Sequence, residues 1–182
     1  MKGIIFNLAE EVVTALHGED VWDAVLDKAG LEGAYTSLGS YPDEELTGLV
    51  VAASELLGSS PDAVLRLLGE GAMPRLAERF PSFFTGHTSS RTFILTLNDV
   101  IHAEVRKLYP DATVPDFEFE SPSDSEVVIT YLSPRQLCAL AEGFVAGAAH
   151  HYGEDVTIDQ PECMHRGDRA CLIHCQFAPH NA

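Results

Sequence analysis

Residues 127–135 read Val-Val-Ile-Thr-Tyr-Leu-Ser-Pro-Arg, and this stretch decides how the rest of the chain is interpreted. Its first part alternates between two sets of side chains, which predicts a β-strand. We expect a helix from about Pro134 to Tyr152 to follow, so Tyr131, Ser133 and Arg135 lie at the junction. Two hydroxyls and a planar guanidinium suit the binding of a carboxylate. The alternative is an ordinary helix cap beside a solvated arginine.

The same two-residue alternation recurs before and after this stretch. Phe117 and Phe119 alternate with acids, which predicts a strand paired with 127–132. Residues 156–159 and 170–177 have the character of two further strands, joined through the Arg166-Gly167-Asp168 segment. The C-terminal part is therefore predicted to hold a four-stranded antiparallel sheet with one helix inserted.

The first two thirds of the chain have helical periodicity instead. Apolar residues recur at steps of three and four from Ile5 to Leu16, and Gly18 follows where a helix should stop. A longer helix is predicted from Arg91 to Tyr109, with Pro110 just past its end. The fold class is therefore α+β in one domain, 1–182, with a helical part over about 1–110 and a sheet-containing part over about 111–182.

Composition excludes several classes of function. The formal net charge of −17 argues against binding to nucleic acid or to an anionic membrane. No stretch approaches the roughly 18 uninterrupted apolar residues of a membrane span, and the N-terminus lacks a secretion signal, so we expect a cytoplasmic protein. No Ser, His and Asp constellation or glycine-rich phosphate loop stands out, so we predict no enzyme.

His102 lies beside the apolar stripe of the predicted 91–109 helix, where a neutral imidazole is a candidate haem ligand or, more commonly, a hydrogen-bonded structural histidine. Together with the opening Met-Lys-Gly-Ile-Ile-Phe-Asn, the segment Phe-Pro-Ser-Phe-Phe at 80–84 and the Tyr-x-Ser-x-Arg triplet, it makes the whole chain resemble the heme nitric oxide/oxygen binding (H-NOX) family. The resemblance implies haem b buried between the two parts. His102 would be the proximal iron ligand, Tyr131, Ser133 and Arg135 would bind the propionates, and Pro115 would press on the porphyrin.

The resemblance also addresses the choice of gas. Where the oxygen-binding branch of the family has a distal tyrosine that donates to dioxygen, this chain has Leu140. NO and CO depend much less on such a donor, so an apolar pocket excludes O2 and favours an NO sensor that also binds CO. The distal wall implied by the resemblance consists of Ile5, Met73, Leu76, Leu140 and Phe144.

Family behaviour suggests how the gas would be signalled. NO would weaken the bond from iron to His102, the histidine would be released, and the helix that carries it would shift. Nothing in the chain resembles an output module, so a separate partner is expected. A histidine kinase and a cyclic-di-GMP enzyme are both compatible with the resemblance.

A cysteine cluster offers a rival function. Cys163, Cys171 and Cys175 surround a Gly-Asp turn, and His165 is the best-placed residue to complete a tetrahedral zinc site. Some members of the family carry zinc here with a histidine three residues before the first cysteine, but this chain has Gln160. Three buried thiols without metal are the alternative, and Cys138 is expected in the core. Zinc thiolates that oxidise would make a redox sensor, alone or beside gas sensing; a haem-free interaction scaffold is the third class of function.

Overall fold

The computed structural model describes residues 1–109 and 112–180, and the α+β class predicted from sequence is confirmed there. No helix within those two ranges has the length and apolar character needed to cross a membrane. The helices are α1 (Gly3–His17), α2 (Glu19–Ala29), α3 (Asp43–Leu57), α4 (Pro61–Arg79), α5 (Ser90–Ile94), α6 (His102–Leu108) and α7 (Cys138–His151). The strands are β1 (Asp116–Ser123), β2 (Glu126–Leu132), β3 (Glu154–Glu162) and β4 (Cys171–Pro179).

The four strands form one antiparallel sheet in the order β1-β2-β4-β3. Tyr131 in β2 pairs with Phe117 on one side and with Cys171 on the other. The inward positions of β2 and β4 are buried and the alternate ones are more exposed, as the sequence alternation predicts. The end of β2 that carries Tyr131 therefore lies against both an aromatic strand and the cysteine-bearing strand.

Helices α4 and α7 pack at unusually short range because glycines line their interface. A Cβ at Gly143 would lie 2.2 Å from the carbonyl oxygen of Arg66, and one at Gly69 would lie 2.5 Å from that of Leu140. A Cβ at Gly147 would likewise lie too close to the carbonyl oxygen of Glu70. This contact fixes α7, the inserted helix of the sheet-containing part, against the helical part of the chain.

The prediction of a single helix over 91–109 is wrong, because the helix is interrupted between α5 and α6. The Thr96 hydroxyl donates to the carbonyl oxygen of Phe93 at 2.7 Å, a local bond that competes with the regular helical pattern. The carbonyl of Thr96 then accepts from Val100 and, more weakly, from Ile101, and 97–101 forms a π-helical turn. Pro110, predicted to end this helix, lies outside the described residues.

The helix after β2 begins at Cys138 rather than near Pro134. Gln136 has a positive φ of 52°, which is incompatible with a helix at that position. The next amide, that of Leu137, donates to the Tyr131 hydroxyl at 2.9 Å. The segment between strand and helix is thus a turn organised by the tyrosine.

Candidate functional site

His102 begins α6 immediately after the π-helical turn, a distortion that is frequent at functional sites. Its ring stacks on Phe117, with centroids 5.6 Å apart and planes 16° from parallel. The ring of Phe117 in turn lies 5.6 Å from that of Tyr131. Asn98, within the π-helical turn, donates to the carbonyl oxygen of Phe117 at 2.7 Å. The His102 region is therefore connected to β1 by the stacked His102 ring and by the hydrogen bond from the Asn98 side chain.

The His102 imidazole is in the state that a metal ligand requires. Burial, and secondarily the charge of Arg106, lowers its pKa to about 4, so the ring is neutral at pH 7. Its Nδ1 is buried and has no hydrogen-bond partner among the described residues. A structural histidine of the ordinary kind would be hydrogen-bonded there. The geometry fits an axial haem ligand better than that alternative.

Tyr131 and Ser133 come together at the end of β2, while the Arg135 side chain donates to Asp43 and to Thr113. Tyr131 and Ser133 are each 3% exposed, and the Ser133 hydroxyl accepts from the Arg135 amide at 3.3 Å. The Arg135 side chain is half-buried and donates from one terminal nitrogen to the Thr113 carbonyl oxygen at 2.6 Å. The two hydroxyls are thus grouped at the end of β2, and the guanidinium of Arg135, which follows them in the chain, is held by Asp43 and Thr113. Hydroxyls and a guanidinium are the donor types that suit the carboxylates of a haem.

Asp43 is a member of this site that sequence reasoning missed. Its Oδ2 accepts from Arg135 Nε at 2.7 Å, and its Oδ1 accepts from the Met1 ammonium at 2.6 Å. Burial alone would raise the pKa of Asp43, but the hydrogen bonds and positive charges of these two partners outweigh it and hold the pKa below its usual value. The sequence showed Asp43 only as an acid in the first turn of a helix. Asp43 therefore fixes the direction of Arg135.

The five residues predicted for the gas-side wall lie on three helices that pack together. Ile5 on α1 and Leu140 on α7 belong to the apolar core between α1, α3, α4 and α7. Met73 and Leu76 on α4 belong to the core against the sheet, and Phe144 contacts both cores. Leu140 is 6% exposed and Met73 5%. Pro115 is half-buried and directly precedes β1.

The four predicted zinc ligands do not all meet: Cys163 and Cys171 lie together, but Cys175 and His165 do not join them, and this part of the prediction is corrected. Cys171 and Cys175 share a face of β4, but they are four positions apart along the strand, about 13 Å, which is too far for one ion. His165 instead places Nε2 2.7 Å from the Gln136 carbonyl oxygen. Cys138, predicted as a plain core residue, is the third thiol beside Cys163 and Cys171.

Comparisons with known proteins agree on one family. The model of the HNOB family, described as haem-NO-binding, matches residues 2–160. An H-NOX protein from Shewanella oneidensis in the Fe(II)NO ligation state is 32% identical, with a TM-score of 0.90 over 98% of this chain and 99% of that chain. Its Fe(II)CO state gives a TM-score of 0.88 at the same identity, over 98% and 99%.

A more distant structure shares the fold alone. An oxygen-binding H-NOX domain related to soluble guanylate cyclases, solved as the oxygen complex, has a TM-score of 0.82 at 24% identity, over 100% of this chain and 98% of that chain. No curated protein sequence matches the chain.

Proposed function

The chain belongs to the haem-NO-binding (H-NOX) family of haem-based gas sensors, and from this premise we propose that it binds nitric oxide at ferrous haem b, binds carbon monoxide there, and excludes dioxygen. His102 carries the proposal, because it is neutral, buried at Nδ1 and without a hydrogen-bond partner among the described residues. The S. oneidensis relative, solved with NO and with CO, supports both ligands.

Each proposed contact is assigned to residues of this chain. Haem, when bound, supplies the ferrous iron to which a gas attaches. His102 is the proximal ligand, and Tyr131, Ser133 and Arg135 bind the propionates. Pro115 contacts the porphyrin. The gas-side wall consists of Ile5, Met73, Leu76, Leu140 and Phe144.

The proposed selectivity against dioxygen depends on Leu140. Bound dioxygen is strongly polarised and gains from a hydrogen-bond donor, whereas NO and CO carry much less charge on the outer atom. Leu140 is an apolar residue, 6% exposed, within the helical core, and offers no donor. An apolar wall of this kind provides no hydrogen bond to bound O2 and so lowers the affinity for O2, whereas the binding of NO and CO is retained.

The proposed signal begins at His102. Bound NO would weaken the bond between the iron and His102, and release of His102 would leave α6 free to move relative to β1. Asn98 and the ring of Phe117 connect that movement to the sheet. A separate cytoplasmic partner, a histidine kinase or a cyclic-di-GMP enzyme, reads the change, so the chain acts as a sensor rather than an enzyme. The zinc alternative is not part of this proposal, because only Cys163 and Cys171 of its four predicted ligands come together.

The test is the visible spectrum of the purified protein, reduced without oxygen and then exposed separately to NO, CO and air. We expect a ferrous haem that takes NO with loss of its histidine ligand, takes CO, and is unchanged by O2 beyond slow oxidation. His102→Gly, with and without added imidazole, is the matched variant, and imidazole should restore the wild-type ferrous spectrum. Absence of a haem band after reconstitution refutes the proposal, and ready O2 binding refutes the selectivity.

A further inference from the structure

Three thiols from separate parts of the chain converge behind the sheet. The Sγ of Cys163 lies 3.8 Å from that of Cys138 and 3.9 Å from that of Cys171, and all three sulfurs lie within 4.8 Å of one another. None of the three residues is more than 4% exposed. A point equidistant from the three sulfurs is therefore within roughly 2.5 Å of each, close to a metal–thiolate bond of about 2.3 Å.

The surroundings of the thiols provide hydrogen bonds to sulfur. The backbone amide of Met164 donates to Cys171 Sγ at 3.3 Å. The side-chain amide of Gln160 lies against Cys138, and its Nε2 is buried without a conventional partner in the part of the chain that the structure describes. Arg66 is close enough for its positive charge to act on Cys138. Burial raises the pKa of Cys138 and of Cys171, so the thiols are protonated until a metal displaces the protons. The amide donors, and Arg66 although it is paired with Glu142, then help to stabilise the thiolates that bind metal.

A fourth ligand for zinc is missing from the described residues. A structural zinc is almost always tetrahedral, with four protein ligands. The amide nitrogen that Gln160 presents has hydrogens but no lone pair for a metal, and the ring of His165 is anchored to the Gln136 carbonyl. Burial of all three thiols leaves water poorly placed to complete the set. The donor set therefore disagrees with tetrahedral zinc.

We propose that Cys138, Cys163 and Cys171 bind one monovalent copper ion in three-coordinate geometry. Thiolates are soft ligands and select Cu(I), which, unlike structural zinc, is satisfied by three sulfurs. Binding replaces three S–H bonds by three S–Cu bonds and releases three protons to solvent, with no change of oxidation state. The resulting charge of −2 is offset in part by the amide donors at Met164 and Gln160, with Arg66, which is paired with Glu142, as the nearby cation.

The experiment compares Cu(I) and Zn(II) in the full-length protein under oxygen-free, reducing conditions, each metal in competition with a chelator of known affinity. We expect one Cu(I) per chain, with X-ray absorption showing three sulfur neighbours, and zinc held more weakly. Cys138→Ser should lower the Cu(I) affinity more than about 10-fold. Cys175→Ser is the matched control, since Cys175 is an equally buried thiol outside the triad, and it should keep the copper.

Gln160→His supplies an imidazole beside Cys138 and is expected to raise the zinc affinity by about 10- to 100-fold without abolishing copper binding. Circular dichroism of every variant separates loss of metal from loss of fold. Tighter zinc than copper binding in the wild type overturns the proposal, as does equal copper loss in Cys175→Ser and Cys138→Ser. The readout is independent of the haem spectrum, so failure here leaves the gas-sensor proposal intact.

Discussion

Alanine at Gly143 should destabilise the protein, because there is no room for its methyl group between α7 and α4. The added Cβ would lie 2.2 Å from the Arg66 carbonyl oxygen, whereas ordinary contact begins at 3.4 Å. The opposing atom belongs to a helix backbone, so the two helices must separate by roughly 1 Å or bend. Overpacking of this kind costs about 1–3 kcal/mol. For a chain of this size the melting temperature should fall by about 2–12 °C.

Gly48→Ala is the matched control, because Gly48 also lies inside a helix but has space around it. A Cβ there meets only Ala29, at 4.0 Å. Alanine has the better helix propensity, so the free energy of unfolding should rise by about 0.5–1 kcal/mol. Thermal unfolding of both variants, followed by circular dichroism at one fixed haem content, makes the comparison. A Gly143→Ala protein as stable as Gly48→Ala would refute the close packing of α4 and α7.

Three further predictions concern the gas, the haem and acid. Leu140→Tyr supplies a donor worth about 1–2 kcal/mol to polarised dioxygen, so oxygen titration of the ferrous protein should show roughly 5- to 30-fold tighter binding; unchanged affinity contradicts the distal position of residue 140. Arg135→Ala should speed haem transfer to apomyoglobin about 10-fold, whereas Arg169→Ala, an exposed cation, should not. The lowered pKa of Asp43 means that its carboxylate contributes stability fully above its unfolded pKa of about 3.9 and loses it as pH falls through the folded value. Asp43→Asn should therefore be less stable at pH 7 and show a flatter loss of stability below about pH 4, measured by urea unfolding.

Features encoded by local pattern were predicted well from the sequence. The alternation of 127–132 and 117–119 gives the strands and their inward faces because the β period is two, whatever the partner strand is. The Tyr-x-Ser-x-Arg triplet spans five residues, so its hydroxyls meet each other and the nearby backbone amides with little help from the rest of the fold. The grouping at 131–135 was predictable for that reason.

Features that depend on distant contacts were not predictable in this way. Cys138 joins Cys163 across 25 residues, and only the register of β2 and β4 brings Cys171 to the same point. Because Cys171 and Cys175 lie on the same face of one strand, the sequence pattern made them equivalent candidates. Their distance along the strand nevertheless prevents both from binding the same ion. The interruption of the helix before His102 involves one hydroxyl, that of Thr96. The rotamer of a single side chain leaves no trace in the hydrophobic periodicity of the sequence.

The position of β1 at the edge of the sheet explains how a change at His102 can spread without unfolding the protein. Among the strands of the described residues β1 pairs only with β2, and it receives both contacts from the His102 region: the Asn98 hydrogen bond and the stacked Phe117 ring. A shift of α6 must therefore break those contacts or displace β1. Displacement of β1 disturbs only one ladder of hydrogen bonds, the one to β2. β2 resists such movement, since Tyr131 is fixed by Leu137 on one side and paired with Cys171 on the other. We therefore predict that any displacement is confined to α6 and the sheet edge, while the residues proposed to bind the propionates stay in place.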